Sequence, residues 1–256
     1  MDETTRPETK AALIALVERG QAEEEAFRAG LSAEERAQVG TAEQWAPKEV
    51  IAHLGFWKQR QADRISALAR GDAPPEMADF QTLNTESWPE HARLNWDESV
   101  ARSDQGTRDL IAALDALPAS ALAPGDGTAD EADQADMLAS TTLGNSLGHV
   151  DVHISDYWVS RGDRERARRT QQEMVAAIIA ARLGDAQEGS ARYNLACYYA
   201  LNGQPADALT ELRQALALRP ALVPWAREDH DLDSLRADPA FQALVPLAPS
   251  TPPEDA

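Results

Sequence analysis

His149 and His153 stand four residues apart. On a helix that spacing puts both imidazoles on one face, one turn apart, where they can grip a single ion. His53 lies much earlier and is the third candidate. Three imidazoles with no fourth protein ligand leave coordination positions open, which is what a catalytic metal needs, and zinc, nickel or iron would suit them. Thr142, Ser146, His149, His153, Asp156 and Ser160 also form a continuous polar stripe, so a solvated helix face is the competing expectation. Asp156, one turn past His153, is placed either to orient that imidazole or to face water. Trp57 lies one turn from His53 and can wall a pocket. No catalytic acid, base or nucleophile can be assigned: no Asp-oriented triad can be argued for Ser146, and Cys197 sits at an inner helical position, where a thiol is usually inert. His91 is expected to be exposed, and His230 to belong to a C-terminal cap.

Amphipathic helices must position these residues. Leu13, Leu16, Val17 and Phe27 recur at helical spacing between about Pro7 and Gly30, with Glu23, Glu24 and Glu25 expected to face water. Ser32 followed by Glu35 is a helix-start signal. The second long helix starts near Pro47, carries His53 and stops at Gly71. Residues 72–87 look like a connection. A third helix is predicted from Trp88 through Trp96, Val100, Leu110 and Leu117, a loop over 118–136, and a fourth helix from Met137 to Ser160. A helix of ~25 residues is ~37 Å long. A 16-residue connection reaches ~50 Å extended, so 72–87 can cross back and let helices two and three run parallel. Helix two is then antiparallel to helix four, which brings all three histidines to one height.

Residues 189–222 fit a tetratricopeptide period, with Leu195, Ala196, Tyr199, Ala208, Leu212, Ala215 and Pro220 at the expected large and small positions. One repeat buries too little surface to stand alone, so segments 163–183 and 224–245 are expected to pack on it. The expected fold is all-α: a helical bundle over 1–160, a repeat subdomain over 161–248 and a disordered tail over 249–256.

The net charge is −19 across 256 residues, with pI near 4.6. Such a surface repels nucleic acid and anionic membranes. The arginines at 161, 164, 166, 168 and 169 alternate with acids and read as a solvated helix surface. The single cysteine excludes an internal disulfide, and no apolar run is long enough to span a membrane. A cytoplasmic protein is expected.

Trp45-x-x-Lys48-Glu49-Val50-Ile51-Ala52-His53-Leu54-x-x-Trp57 resembles the second-helix signature of the DinB-like superfamily of four-helix bundles, and Gly148-His149-x-x-x-His153 resembles its fourth-helix pair. The tryptophans, with Asn84-Thr85-Glu86, look most like the DfsB/ClbS branch. The resemblance covers about residues 8–160. It implies an up-down-down-up bundle in which the matching histidines commonly bind a divalent metal. Members include thiol-cofactor S-transferases, a maleylpyruvate isomerase and a hydrolase that disarms a genotoxin, so the fold carries over better than the reaction. The implied activity is that of a metal-dependent hydrolase or thiol S-transferase acting on a small electrophile. The alternatives are a non-enzymatic adaptor working through its repeat, and a metal-free protective binder or hydrolase of the ClbS type. A small-molecule substrate and a protein partner on the repeat are the expected contacts, and a homodimer is compatible with the sequence.

Overall fold

The computed structural model describes residues 5–75, 79–122 and 129–246, and every regular element among them is helical. The tail expected at 249–256 lies outside the described residues, as do parts of the connections expected at 72–87 and 118–136. The chain divides into two compact units, Met1–Leu183 and Gly184–Ala256.

The first unit contains α1 (Thr5–Gly30), α2 (Ala33–Ala37), α3 (Pro47–Arg70), α4 (Phe80–Arg93), α5 (Trp96–Ala116), α6 (Ala129–Gly144), α7 (Leu147–Ser160) and α8 (Arg164–Ala181). Ser32 and Glu35 close the capping box expected at the start of α2. Pro47 occupies the first turn of α3, and Gly71, at φ 76°, ends it in the left-handed conformation that glycine adopts without a Cβ clash.

Two expected helices are each divided. The stretch from Trp88 to Leu117 belongs to α4 and α5, separated by Leu94 and Asn95 in extended conformation. Asn95 caps α5 by accepting from the Glu98 amide at 3.0 Å while Glu98 accepts from the Asn95 amide at 2.8 Å. α4 begins as early as Phe80, capped by Asp79. The stretch from Met137 to Ser160 breaks at Asn145–Ser146, and its first part reaches back to Ala129. In both cases the apolar stripe continues past the break, so periodicity alone hides it.

Pairwise contacts set the helix directions. Lys48 reaches the carbonyls of Ala92 and Leu94, Gly55 touches Ser103, and Lys58 touches Gly106, so α3 and α5 run parallel. Gln21 meets Thr107 and Glu24 meets Ser103, so α1 opposes α5. Gly20 lies beside Leu147 and Phe27 packs edge-on against Tyr157 at 5.0 Å, so α1 and α7 share a direction. α7 shares the direction of α1, which opposes α5, so α3 opposes α7, with His53 facing His149, an arrangement the connection length permits.

Glycine makes the α3–α5 approach close. A Cβ on Gly55 would fall 2.8 Å from the Ser103 backbone, and one on Gly106 would fall 2.8 Å from the Gly55 carbonyl oxygen. Phe27, Leu31, Ile51, Leu54, Val150 and Ile154 form a buried cluster beside the histidines, and each such side chain contributes about 1.5–3 kcal/mol through burial.

Glu24 does not face water. It is fully buried, and so is Lys58, whose Nζ lies 2.6 Å from the Glu24 carboxylate. Ser103 Oγ donates to the same oxygen at 2.9 Å. A buried carboxylate is tolerable only with such partners.

Helix α8 packs on α7 and α1, burying Ala167, Met174, Val175 and Ile178. Gln171 donates to Ser155 of α7 at 3.0 Å. The segment read as a flank of the repeat is therefore part of the first unit, and the compact units divide after Leu183 instead of at 160.

In the second unit, α9 (Asp185–Leu201) and α10 (Pro205–Leu218) pair around Gly203, whose φ is 72°. Ala196, Tyr199, Ala208, Leu212 and Ala215 fill the seam. Two short helices, α11 (Val223–Glu228) and α12 (Pro239–Leu244), and a 3-10 turn over His230–Leu235 complete the unit. Leu232, Leu235 and Phe241 are buried there.

Candidate metal centre

One turn of α3 and two turns of α7 bring His53, His149 and His153 together. Each offers one ring nitrogen, and these nitrogens all lie within 4.8 Å of one another. The Nε2 atoms of His53 and His149 face each other at 3.0 Å. Nδ1 of His53 and Nδ1 of His149 are buried without a hydrogen-bond partner among the described residues. The height match inferred from the connections is present at all three positions.

Lys48 and Glu49 fix the start of α3, one turn before His53. Glu49 accepts from the Ala46 amide at 3.0 Å and from the Gly40 amide at 3.2 Å. Lys48 pairs with Glu49 at 2.9 Å and ties α3 to the end of α4 through the carbonyls of Ala92 and Leu94. These two residues of the signature segment therefore work as anchors, a role that spacing did not reveal.

Aromatic rings close one side. Trp45 meets His53 edge-on at 4.5 Å and lies nearly parallel to Trp88 at 5.6 Å and to His153 at 6.3 Å. Trp57 is buried, 6.2 Å from the His53 ring and 6.1 Å from the His149 ring, and its indole N–H donates to Asn84 of α4 at 3.1 Å. His91, expected at the surface, is fully buried with its ring 5.8 Å from that of His53, and neither of its nitrogens has a partner among the described residues. Asp156 is exposed on α7, one turn beyond His153. The polar stripe divides: Asp156 and Ser160 are exposed, whereas Thr142 and Ser146 are buried and donate to backbone carbonyls of their own helix stretch.

Burial holds all four imidazoles below the ordinary histidine range. Desolvation is the main cause for His53 and His149, and the charge on neighbouring imidazoles adds to it. His153 is pushed down to about 4 by burial. His91 is pushed to about 4 by burial and by the positive charge of Arg102. Neutral imidazoles are the form that binds metal. Two nitrogens on one tetrahedral zinc with ~2.05 Å bonds sit roughly 3.3 Å apart, so the cluster is of a size that fits a divalent ion.

A cavity of about 470 Å³ opens between α3, α4 and the α6–α7 junction, with Trp57, Phe80, Leu83, Gly144 and His149 among its walls. Small-molecule sites occupy about 300–1,000 Å³.

The DinB superfamily model matches residues 16–154, more than half of the chain and all three histidines. The chain belongs to the DinB superfamily. No curated protein and no solved structure matches it. In this superfamily member, as far as the described residues go, no helix is long and apolar enough to cross a membrane. A second group, Cys197, Asp229 and Asp231, also places ligand atoms within 4.8 Å of one another. Its thiol is pushed up out of the usual range by burial and by the nearby carboxylates, and it lies 3.6 Å from Asp229, consistent with a protonated structural thiol.

Proposed function

We propose that this DinB superfamily member is a metal-dependent enzyme, a hydrolase or thiol S-transferase, in which His53, His149 and His153 hold zinc, nickel or iron. The carrying observation is the convergence of three neutral imidazoles, one buried and two half-buried, with His149 lining a cavity of small-molecule size. When bound, a divalent ion at this place supplies Lewis-acid activation, lowering the pKa of a water or thiol. The chain's own groups do the rest. Trp45 and Trp57 wall the histidines and limit access of bulk water, and Lys48 and Glu49 hold the start of α3 in register. The cavity admits a small electrophile beside His149. The pairwise helix directions support reading α1, α3, α5 and α7 as the superfamily's up-down-down-up bundle, and Trp57 with Asn84 supports the DfsB/ClbS branch. The α9–α10 pair, with small residues at the helix contact, supports a tetratricopeptide-type hairpin. Leu201 and Trp225, 64% and 72% exposed, give that unit apolar surface for a protein partner.

Elemental analysis of the purified protein after zinc, nickel or iron loading tests the metal reading. About one ion per chain is expected in the wild type and none in His149→Ala or His153→Ala. A folded wild type that takes up no ion sinks the metalloenzyme and leaves the metal-free binder.

A further inference from the structure

We propose that His91 is a positioning residue for the histidine cluster. It accepts a hydrogen bond from Nδ1–H of His53, directly or through one water, and so holds the His53 tautomer whose Nε2 lone pair faces His149. This deepens the metal reading above and rests on it for its consequence, although the hydrogen bond itself can be read in the metal-free protein.

Nε2 of His53 lies 3.0 Å from Nε2 of His149. In the metal-free pair one of these atoms must donate and the other accept. A neutral imidazole carries its proton on one nitrogen or the other, so the choice is made at the far nitrogen, Nδ1. Nδ1 of His53 is buried with no hydrogen-bond partner among the described residues. Among those residues, the rings around His53 are those of Trp45, Trp57, His91, His149 and His153. The indoles are donors only, and theirs are spent on the Ala42 carbonyl and on Asn84. In the form that binds an ion through Nε2, His149 keeps a proton on Nδ1 and has no acceptor to offer His53. His153 belongs to the same ligand set. His91, from α4, is left. It is fully buried with its ring centre 5.8 Å from that of His53, and neither of its nitrogens has a partner among the described residues.

A buried imidazole with both nitrogens unspent costs stability, so packing alone is a poor reason for one. An N–H···N bond spans ~3 Å. Rings at this separation bond directly when a nitrogen of each turns along the line between them, and one water closes a wider gap. The proton that His91 keeps on its other nitrogen has the Trp45 and Phe56 rings beside it, at 79° and 66° to its plane, which suits an N–H···π contact. Imidazoles that ligate a metal generally donate their second N–H in this way, and the bond fixes both ring orientation and tautomer.

The test uses the full-length protein and two readouts. Long-range nitrogen–proton NMR spectra of the histidine-labelled, metal-free protein give the His53 tautomer, and competition with a chelator gives zinc affinity. The wild type is expected to hold His53 in the Nδ1–H form. His91→Phe and His91→Leu fill the space without a nitrogen, so both should release His53 into a mixture of tautomers and weaken zinc about tenfold. With zinc in excess they should still take up one ion, because no ligand is lost. His91→Asn or His91→Gln, each with a carbonyl oxygen that can accept, should restore most of both readouts, and His230→Phe in the other compact unit should move neither. A wild-type His53 that is mixed or in the Nε2–H form overturns the proposal, and so does a Phe or Leu variant that folds and keeps the wild-type tautomer or the wild-type affinity. Zinc uptake by the wild type separates the two readings. A protein that takes no zinc yet shows a His91-dependent tautomer fails only the metal reading, and one that binds zinc with no dependence on His91 fails only this one.

Discussion

Lys58 on α3 and Glu24 on α1 form a 2.6 Å ion pair with neither side chain reached by solvent. Such a pair contributes little net stability over an apolar replacement, but breaking it leaves the buried Glu24 carboxylate with only the longer ion contact to Arg28 at 3.5 Å. Lys58→Met should therefore lower stability by about 3–5 kcal/mol in urea melts, and Glu24→Leu combined with Lys58→Met should recover most of the loss. A double variant as weak as the single one would show that the loss comes from packing instead.

Ion binding to the folded state alone stabilises it by mass action, about 2.7 kcal/mol at a hundredfold excess over Kd. Re-adding zinc to chelated wild type should raise the melting temperature, and His149→Ala should abolish the increment. His91→Ala should lower the baseline melting temperature, because it opens a buried void, yet keep the increment. Scanning calorimetry of the three proteins with and without zinc decides this; an increment lost in His91→Ala would make His91 part of the site.

Acid should weaken the metal-free protein. The folded imidazoles titrate below the unfolded value of about 6.5, at about 4 for His91 and His153. Between those values the unfolded chain binds more protons, so stability is present above pH ~6.5 and is lost as pH falls toward 4. Asp151 works with the opposite sign: burial, with Glu23 nearby, pushes its carboxyl well up, so it costs stability as pH rises above ~3.8. Asp151→Asn should thus raise the melting temperature at pH 7 and steepen the loss on acidification. Melts from pH 4 to 8 of both proteins check the signs, and an unchanged slope would contradict them.

Gly55→Ala should cost about 1–3 kcal/mol, since the new methyl group meets the Ser103 backbone at 2.8 Å and a main chain cannot rotate away. Gly30→Ala, at a site with nothing within 4 Å, should be neutral or stabilising by up to about 1 kcal/mol. Paired denaturant melts suffice, and equal effects at the two positions would refute the close seam.

What the sequence disclosed was local or periodic. Pro47 and Gly71 bracket α3 because each acts through its own backbone, and Ser32 with Glu35 closes a box within one turn. The histidine heights were readable because a connection long enough to cross back lets helices two and three run parallel, and the resemblance implies the same topology. The breaks at Leu94–Asn95 and Asn145–Ser146 were missed because the hydrophobic stripe runs on through them, although Asn95 with Glu98 was a readable capping box. Glu24 was misjudged because its neighbours Glu23 and Glu25 look solvated. Its spacing of three from Phe27 places it on the inner face, and Lys58 and Ser103, arriving from other helices, together with Arg28 make that tolerable. His91 carried no distinguishing signal, for its burial depends on Trp45, His53 and Phe56 packing against it from elsewhere in the chain.

His53 and His149 touch across 96 positions of chain. A ribosome making about 5–20 residues per second exposes His53 well before the last turn of the site exists. The delay between His53 and His153 is on the order of 5–20 s. During that interval the emerging chain offers a solitary imidazole, which competes poorly for any ion. On the proposed metal reading, acquisition by all three histidines would follow synthesis of α7, and the cell's free-metal supply at that moment, more than the ligand set, would decide which ion is taken up.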